Sequence, residues 1–268
     1  MICLTDGEFV AISSYFKSCY GVNLTSKKPL IEGRLGNYIE QLGYKNYTDY
    51  FEFAKTDSTG NEISVLINKL TTNHTYFMRE VEHFQFFKDR ILPWVDKDLS
   101  SKDLRVWSAG CSSGQEPYTL AMIAKDYLGS SASSWDYSLL ASDISEKALI
   151  AAKLGIYPKL ELEEMPKAWL NEYFTILDEN SYVISEKIKG QVSFRNFNLL
   201  SPFNFKKPFH AIFCRNVMIY FDIPTKNEII DKFYDALLPG GYFIISLSES
   251  LSSCTHKFKY VMPSVYQK

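Results

Sequence analysis

From Asp6 to about Leu70 apolar side chains recur at intervals of three and four: Phe9, Ile12 and Phe16, then Leu30, Ile31, Leu35, Ile39 and Leu42. That spacing gathers them on one face of an α-helix. Turn signals cut the pattern into separate helices, with Tyr20-Gly21 and Leu42-Gly43 as helix ends and Thr59-Gly60-Asn61 as a break. Thr48 is the expected cap of the segment holding Tyr50, Phe51 and Phe53, and Ile63 to Leu70 closes the series. No strand-like alternation interrupts it. Residues 71–93 read as a connection.

After Asp103 short apolar runs alternate with amphipathic segments, the pattern of a mostly parallel sheet wrapped by helices. Strands are expected at 104–109, 138–142, 192–194, 209–214 and 242–247, and helices at 115–128, 146–154 and 226–237. Pro239-Gly240-Gly241 is the expected stop of the last helix, and residues 258–266 are expected to add an edge strand. Residues 156–190 fit less well: Pro158, Pro166 and a charged run surround short pieces such as Tyr182-Val183-Ile184. They read as an inserted subdomain. The expected division is a helical domain over 1–72 and a doubly wound α/β domain over 73–268.

The segment VWSAGCSSGQEPYTLAM, Val106 to Met122, is a buried strand that breaks into small residues and restarts as a helix. Gly110, Cys111, Ser112, Ser113 and Gly114 let a ligand approach the backbone, and free amides are expected to face it. Glu116 stands in the first helical turn, where it can accept from a ligand's hydroxyl or ammonium groups, and Pro117 supplies a preset φ. Ligands of doubly wound sheets sit beyond the carboxyl ends of the strands, where the strand order reverses. Two further ends are polar, Ser142-Asp143 and Cys214-Arg215-Asn216, and Asp143 is placed to accept the hydroxyls of a ribose. The distance from Gly110 to Asp143, 143 − 110 = 33 residues, is too long for a dinucleotide fingerprint, and GCSSGQ is not GxGxxG. Without a P-loop lysine, the remaining common nucleoside cofactor is S-adenosylmethionine.

Charge and cysteine usage narrow the class further. With 29 basic against 31 acidic residues the net charge is −2, which points to neither nucleic acid nor an anionic membrane. Five scattered cysteines without a CxxC pair argue against a disulfide framework or structural zinc, and His74, His83, His210 and His256 share no metal-ligand spacing. No metal is expected. The absence of a basic leader and of a long apolar run gives a cytoplasmic expectation without membrane insertion, and a monomer is the default. Lys27 and Arg34 lie 34 − 27 = 7 residues apart, two turns along one helix side; with Lys28 they are either a solvated face or a basic docking face.

Five segments carry a family resemblance: YGVNLTSKKPLIEGRL, TTNHTYFMRE, AGCSSGQEPYTLAM, IFCRNVMIYFD and LLPGGYFIIS. Together they resemble the CheR-type chemotaxis receptor methyltransferases, which methylate glutamates on chemoreceptors. The resemblance implies a class I methyltransferase domain with a Rossmann-like sheet, a helical substrate-recognition domain and S-adenosylmethionine as cofactor, released as S-adenosylhomocysteine. It implies cofactor contacts at Asn73, Thr75, Arg79, Gly110, Glu116, Asp143, Asn198, Leu199, Arg215 and Asn216. Arg79 and Tyr220 would orient the reacting groups, and the partner would be the cytoplasmic helices of a receptor. The chain departs from the family in carrying Phe77-Met78 where two phenylalanines are usual, and in a short insert, the part that docks a tethering peptide in some relatives. Two other readings stand beside this one: a methyltransferase for a small molecule or nucleic acid, disfavoured by Arg215-Asn216-Val217 in place of an Asn/Asp-Pro-Pro-aromatic motif, and a non-enzymatic cofactor sensor.

Overall fold

The computed structural model describes residues 2–98 and 102–268. Met1, the first residue of the helical domain as read from the sequence, lies outside the described residues, as do residues 99–101.

Four helices form the first unit: α1 (Asp6–Tyr20), α2 (Lys28–Gln41), α3 (Tyr47–Thr56) and α4 (Asn61–Leu70). A capping box starts α1: Thr5 accepts from the Glu8 amide while the Glu8 carboxylate accepts from the Thr5 amide. Glu8 also accepts from the Thr48 amide at 3.0 Å, fastening α1 to α3. The cap of α3 is therefore Asn46, which takes the Asp49 amide at 2.7 Å, and not Thr48 as expected. Ile12, Phe16, Ile31, Leu35, Ile39 and Leu66 form the core of this unit, and Ile144 and Tyr220 of the second unit pack against it.

The basic residues of α2 differ from a free docking face. Arg34 donates to the carbonyls of Lys69 and Thr71 at 3.1 and 2.8 Å, satisfying the open end of α4, and Lys28 pairs with Asp6 at 2.6 Å. Arg34 is thus structural.

The stretch expected as a connection is largely helical. From Val81 the chain runs through α5 (Val81–Phe86), a π-turn (Phe87–Ile91) and α6 (Leu92–Asp98). Phe84, Phe87, Ile91, Leu92 and Val95 are buried along it. Tertiary burial outweighs the turn signals there.

The second unit is a seven-stranded sheet in the order β6-β2-β1-β7-β8-β10-β9. Its strands are β1 (Val106–Ala109), β2 (Leu139–Asp143), β6 (Val192–Asn196), β7 (Phe209–Phe213), β8 (Leu237–Ile244), β9 (Lys259–Met262) and β10 (Val265–Gln267). A separate antiparallel sheet, in the order β3-β5-β4, is built from β3 (Ile156–Pro158), β4 (Phe174–Ile176) and β5 (Ser181–Ile184). Helices α7 (Gln115–Leu128), α8 (Glu146–Leu154), α9 (Lys167–Tyr173), α10 (Glu186–Lys189) and α11 (Ile223–Ala236) complete the chain. The five strands from β6 to β8 run parallel; β10 is antiparallel to both its neighbours. The order reverses between β1 and β7, so a crevice opens at their carboxyl ends.

Two strand expectations change. Pro239-Gly240-Gly241 lies inside β8, where the register with β7 is irregular; Gly240 has φ +80, and a Cβ on Gly241 would stand 2.9 Å from the Leu238 carbonyl. Residues 258–266 hold parts of two strands, β9 and β10, paired with each other rather than one edge strand. Trp107, fully buried on β1 among Phe203, Phe205 and Phe233, donates to Ser142 Oγ at 2.9 Å. Truncating it to alanine would cost about 3–5 kcal/mol, so the floor of the crevice is anchored from below.

Candidate active site

The crevice, about 980 Å³ counted out to its open mouth, gathers side chains from both units and the junction between them. Asn73, Thr75, Arg79, Gly110, Glu116, Asp143, Asn198, Leu199, Arg215, Asn216 and Tyr220 all line it. Tyr20 and Val22 of the helical unit line it too; both lie in the YGVNLTSKKPLIEGRL segment, where neither is marked as a site residue.

The turn after β1 is closed on itself. The Gly110 and Cys111 amides both donate to the Ser142 carbonyl, at 2.7 and 2.9 Å, Ser112 donates to Asp143 Oδ2 at 2.8 Å, and Gly114 to the Cys111 carbonyl at 3.0 Å. The expectation of free amides fails for these four, because the turn is fastened to the end of β2. Gly110 has φ +84, and a Cβ there would stand 2.2 Å from Val217 Cγ2, so only glycine fits. Asp143 takes the Ser145 amide on its other oxygen at 2.8 Å, leaving each oxygen further capacity to accept. Burial pushes its carboxyl above the usual range, with the Ser145, Ser112 and Ile144 amides pulling the other way.

Arg215 ties the opposite wall together. Its guanidinium meets Glu116 Oε2 at 2.9 Å and Glu80 Oε2 at 3.2 Å, lies over the Phe84 ring, and donates to the Arg79 carbonyl. Glu116 accepts from Ser108 Oγ at 2.7 Å on its other oxygen. Glu80 sits just before α5 at φ +55 with its carboxylate turned inward. Burial raises the Glu80 carboxyl, but Ser246, the Arg215 charge and the Leu247 amide outweigh it and hold the group below its ordinary value.

A further acid of this wall is the partly buried Glu249. It accepts the amides of Ser246 at 2.8 Å, Asn216 at 3.0 Å and Ile219 at 3.1 Å, and so shapes the turn from Cys214 to Tyr220. Asn216, at φ +60, donates its side chain to Ser246 Oγ at 2.8 Å. Ser246-x-x-Glu249 is a capping-box spacing, the one sequence signal that pointed to it. Arg79 is less enclosed: it donates to the His74 carbonyl at 3.0 Å and lies over the Tyr76 ring. Among the described residues no group of three or more His, Cys, Asp or Glu could hold a metal, and no helix is long and apolar enough to cross a membrane.

A parallel sheet whose order reverses over such a crevice, extended by an antiparallel strand pair, is the architecture of a class I S-adenosylmethionine-dependent methyltransferase. The family comparison agrees. Residues 73–266 match the model of the CheR methyltransferase SAM binding domain and residues 7–71 that of the CheR methyltransferase all-alpha domain. The chain belongs to the CheR methyltransferases. It is 40% identical to the chemotaxis protein methyltransferase of Borreliella burgdorferi over 100% of this chain and 96% of that protein. It is 34% identical to the chemotaxis protein methyltransferase of Escherichia coli over 99% of this chain and 92% of that one. Chemotaxis protein methyltransferase 2 of Vibrio cholerae is 31% identical over 96% of this chain and 90% of its own length.

S-adenosylmethionine is the cofactor, and the donor set suits it. Ile144, Phe197, Leu199 and Val217 offer apolar wall for a base, Glu116 and Asp143 offer acceptors for hydroxyl and ammonium groups, and Arg79 offers a cation for a carboxylate. Arg215 Nε is buried with no hydrogen-bond partner among the described residues, a donor left over for a ligand.

Proposed function

We propose that this chain esterifies glutamate side chains on the cytoplasmic helices of chemoreceptors, and that the crevice residues named above are its cofactor and acceptor site. The observation that carries the reading is the wall at the mouth, where Arg79 and Tyr220 flank a site shared by both units. The names of the relatives, chemotaxis protein methyltransferases, support chemotaxis as the setting.

The chemistry asks little of a base. A glutamate carboxyl has an ordinary pKa of about 4.3 and is already ionised at neutral pH. The cofactor supplies an electrophilic methyl group on a sulfonium centre. What remains for the protein is alignment and dryness, and good positioning alone can lower a barrier by roughly 7–11 kcal/mol. Tyr220, braced through its main chain, and Arg79, held by the His74 carbonyl and the Tyr76 ring, orient the carboxylates. Asn73, Thr75, Gly110, Glu116, Asp143, Asn198, Leu199, Arg215 and Asn216 hold the cofactor. Burial pushes the Cys111 and Cys214 thiols well above their ordinary values, which leaves them without thiolate character and outside the chemistry.

The test is transfer of labelled methyl groups to receptor-bearing membranes by the purified chain. Label released as methanol in mild alkali is the expected result. Label that survives alkali, as an N-methyl product would, overturns the glutamate acceptor.

A further inference from the structure

The loop that follows α1 reaches across the domain junction and touches the methyl-transfer side at several points. Asn198, implied by the family resemblance to contact cofactor, donates its side-chain amide to the Cys19 carbonyl at 2.7 Å and accepts the Leu200 amide at 3.0 Å. The Asn23 amide donates to the Tyr220 carbonyl at 2.8 Å. Lys17 pairs with Asp222 at 2.7 Å, two residues beyond Tyr220, and the same aspartate caps α11 by accepting the Thr225 amide. Between these ties Gly21 packs flat on Phe221. At φ +73 a side chain is strained and tight: a Cβ would stand 3.0 Å from the Phe221 ring and 3.1 Å from Thr225 Cγ2, so these neighbours must give way by a few tenths of an ångström. Tyr20 and Val22, on either side, line the crevice itself.

We propose that residues 17–23 of the helical domain are a positioning element for methyl transfer, acting through Asn198, Tyr220 and Phe221. The helical domain is then a working wall of the site as well as a recognition surface. Lys17 and Gly21 are positioning residues: neither carries the chemistry, Gly21 abuts Phe221, which lines the crevice, and Lys17 holds Asp222, the residue next to it. The inference rests on the reading of Tyr220 as orienting the reacting groups. The Lys17 pair holds its partner well into the ionised range, with the Asp222 carboxyl pulled down to about 2 by Lys17 and by Thr225. The tie therefore persists across physiological pH.

The experiment uses the full chain with Gly21→Ala, Lys17→Met and Lys17→Arg, and reads two quantities: calorimetric affinity for S-adenosylhomocysteine, and kcat and KM with receptor-bearing membranes. Because small misplacements at a reacting centre can cost as much as about a hundredfold, Gly21→Ala is expected to lower kcat at least about tenfold and to weaken S-adenosylhomocysteine, with KM for receptor nearly unchanged. Lys17→Met should move the same quantities by roughly threefold, the scale of a partly exposed ion pair, and Lys17→Arg should restore them. Unchanged kcat and affinity in Gly21→Ala, or a loss confined to KM for receptor, overturns the proposal. If Gly21→Ala does not fold, the Lys17 pair decides: equal values for methionine and arginine overturn it. Should the parent chain bind S-adenosylhomocysteine yet esterify no glutamate, the acceptor reading fails by itself, and the affinities of the same variants still decide this one.

Discussion

The turn after β1 and the turn after β7 face each other across the crevice and are held by different means. Between Gly110 and Gly114 the fastening is almost wholly local or main chain, through the Ser142 carbonyl, the Cys111 carbonyl and one oxygen of Asp143. Between Cys214 and Tyr220 it is provided by carboxylates and amides from far along the chain: Glu80, Glu116, Glu249 and the Asn23 amide. The first turn is a floor laid mainly on main-chain and carboxylate groups at the end of β2. The second is an assembled wall, and it takes its shape only when the junction, the end of β8 and the helical domain are all in place.

The largest expected effect comes where the two turns touch. Gly110→Ala forces a Cβ into Val217 Cγ2, 2.2 Å away, at a backbone angle that disfavours side chains. Cofactor affinity should fall by roughly a hundredfold or more, on the order of 3 kcal/mol, because floor and wall are pushed apart together. Calorimetry with S-adenosylhomocysteine checks it; near-normal affinity would mean that the wall yields freely and that the contrast is overstated.

Removing the wall's own anchor comes next. Glu249→Ala leaves the Ser246, Asn216 and Ile219 amides without their acceptor. The Ser246 and Asn216 amides are part-buried, and an unsatisfied buried group costs about 1–3 kcal/mol, so stability should drop by roughly 2 kcal/mol or more. Glu249→Gln, which keeps one acceptor oxygen, should fall between the two in denaturant midpoint and in kcat.

The effect that is smallest near neutral pH is graded with acidity. Burial, then the Arg215 charge, lowers the pKa of His83 from 6.5 to about 4, and burial and Arg105 do the same to His210. The unfolded chain takes up these protons near 6.5 and the folded chain only near 4, so the stability they give is complete above about 6.5 and is lost as pH falls through that interval. The full loss is on the order of 3 kcal/mol per histidine. His83 lies 3.3 Å from Glu80, behind the wall. His83→Gln should flatten roughly half of the slope in a pH series of denaturant midpoints, whereas an unchanged slope would place the proton uptake elsewhere.

Much of the scaffold was legible because the signals are local. The helices at Gln115–Leu128 and Glu146–Leu154 follow from their apolar spacing, and the latter ends at Gly155 with φ +62. The site residues named by resemblance meet at one crevice because each stands at a strand end or in the junction segment. Glu80, Glu249 and residues 17–23 were not legible. Their importance comes from what they touch at long range, from 249 − 219 = 30 positions for Glu249 to 222 − 17 = 205 for Lys17, and no periodicity records a contact of that range. Thr48 failed as a cap for a related reason: its amide is claimed by Glu8 of another helix.

By itself, then, the sequence determined the helical first domain, the alternating α/β order of the second and the small-residue turn that closes the floor, since backbone preference and apolar period act within a few residues. Only the tertiary structure decided that Arg34 serves a helix end, that Arg215 is buried between two acids, and that the helical domain supplies part of the wall. Those outcomes depend on which buried charges and open backbone groups come within reach of each other, and that is settled by packing and not by local preference.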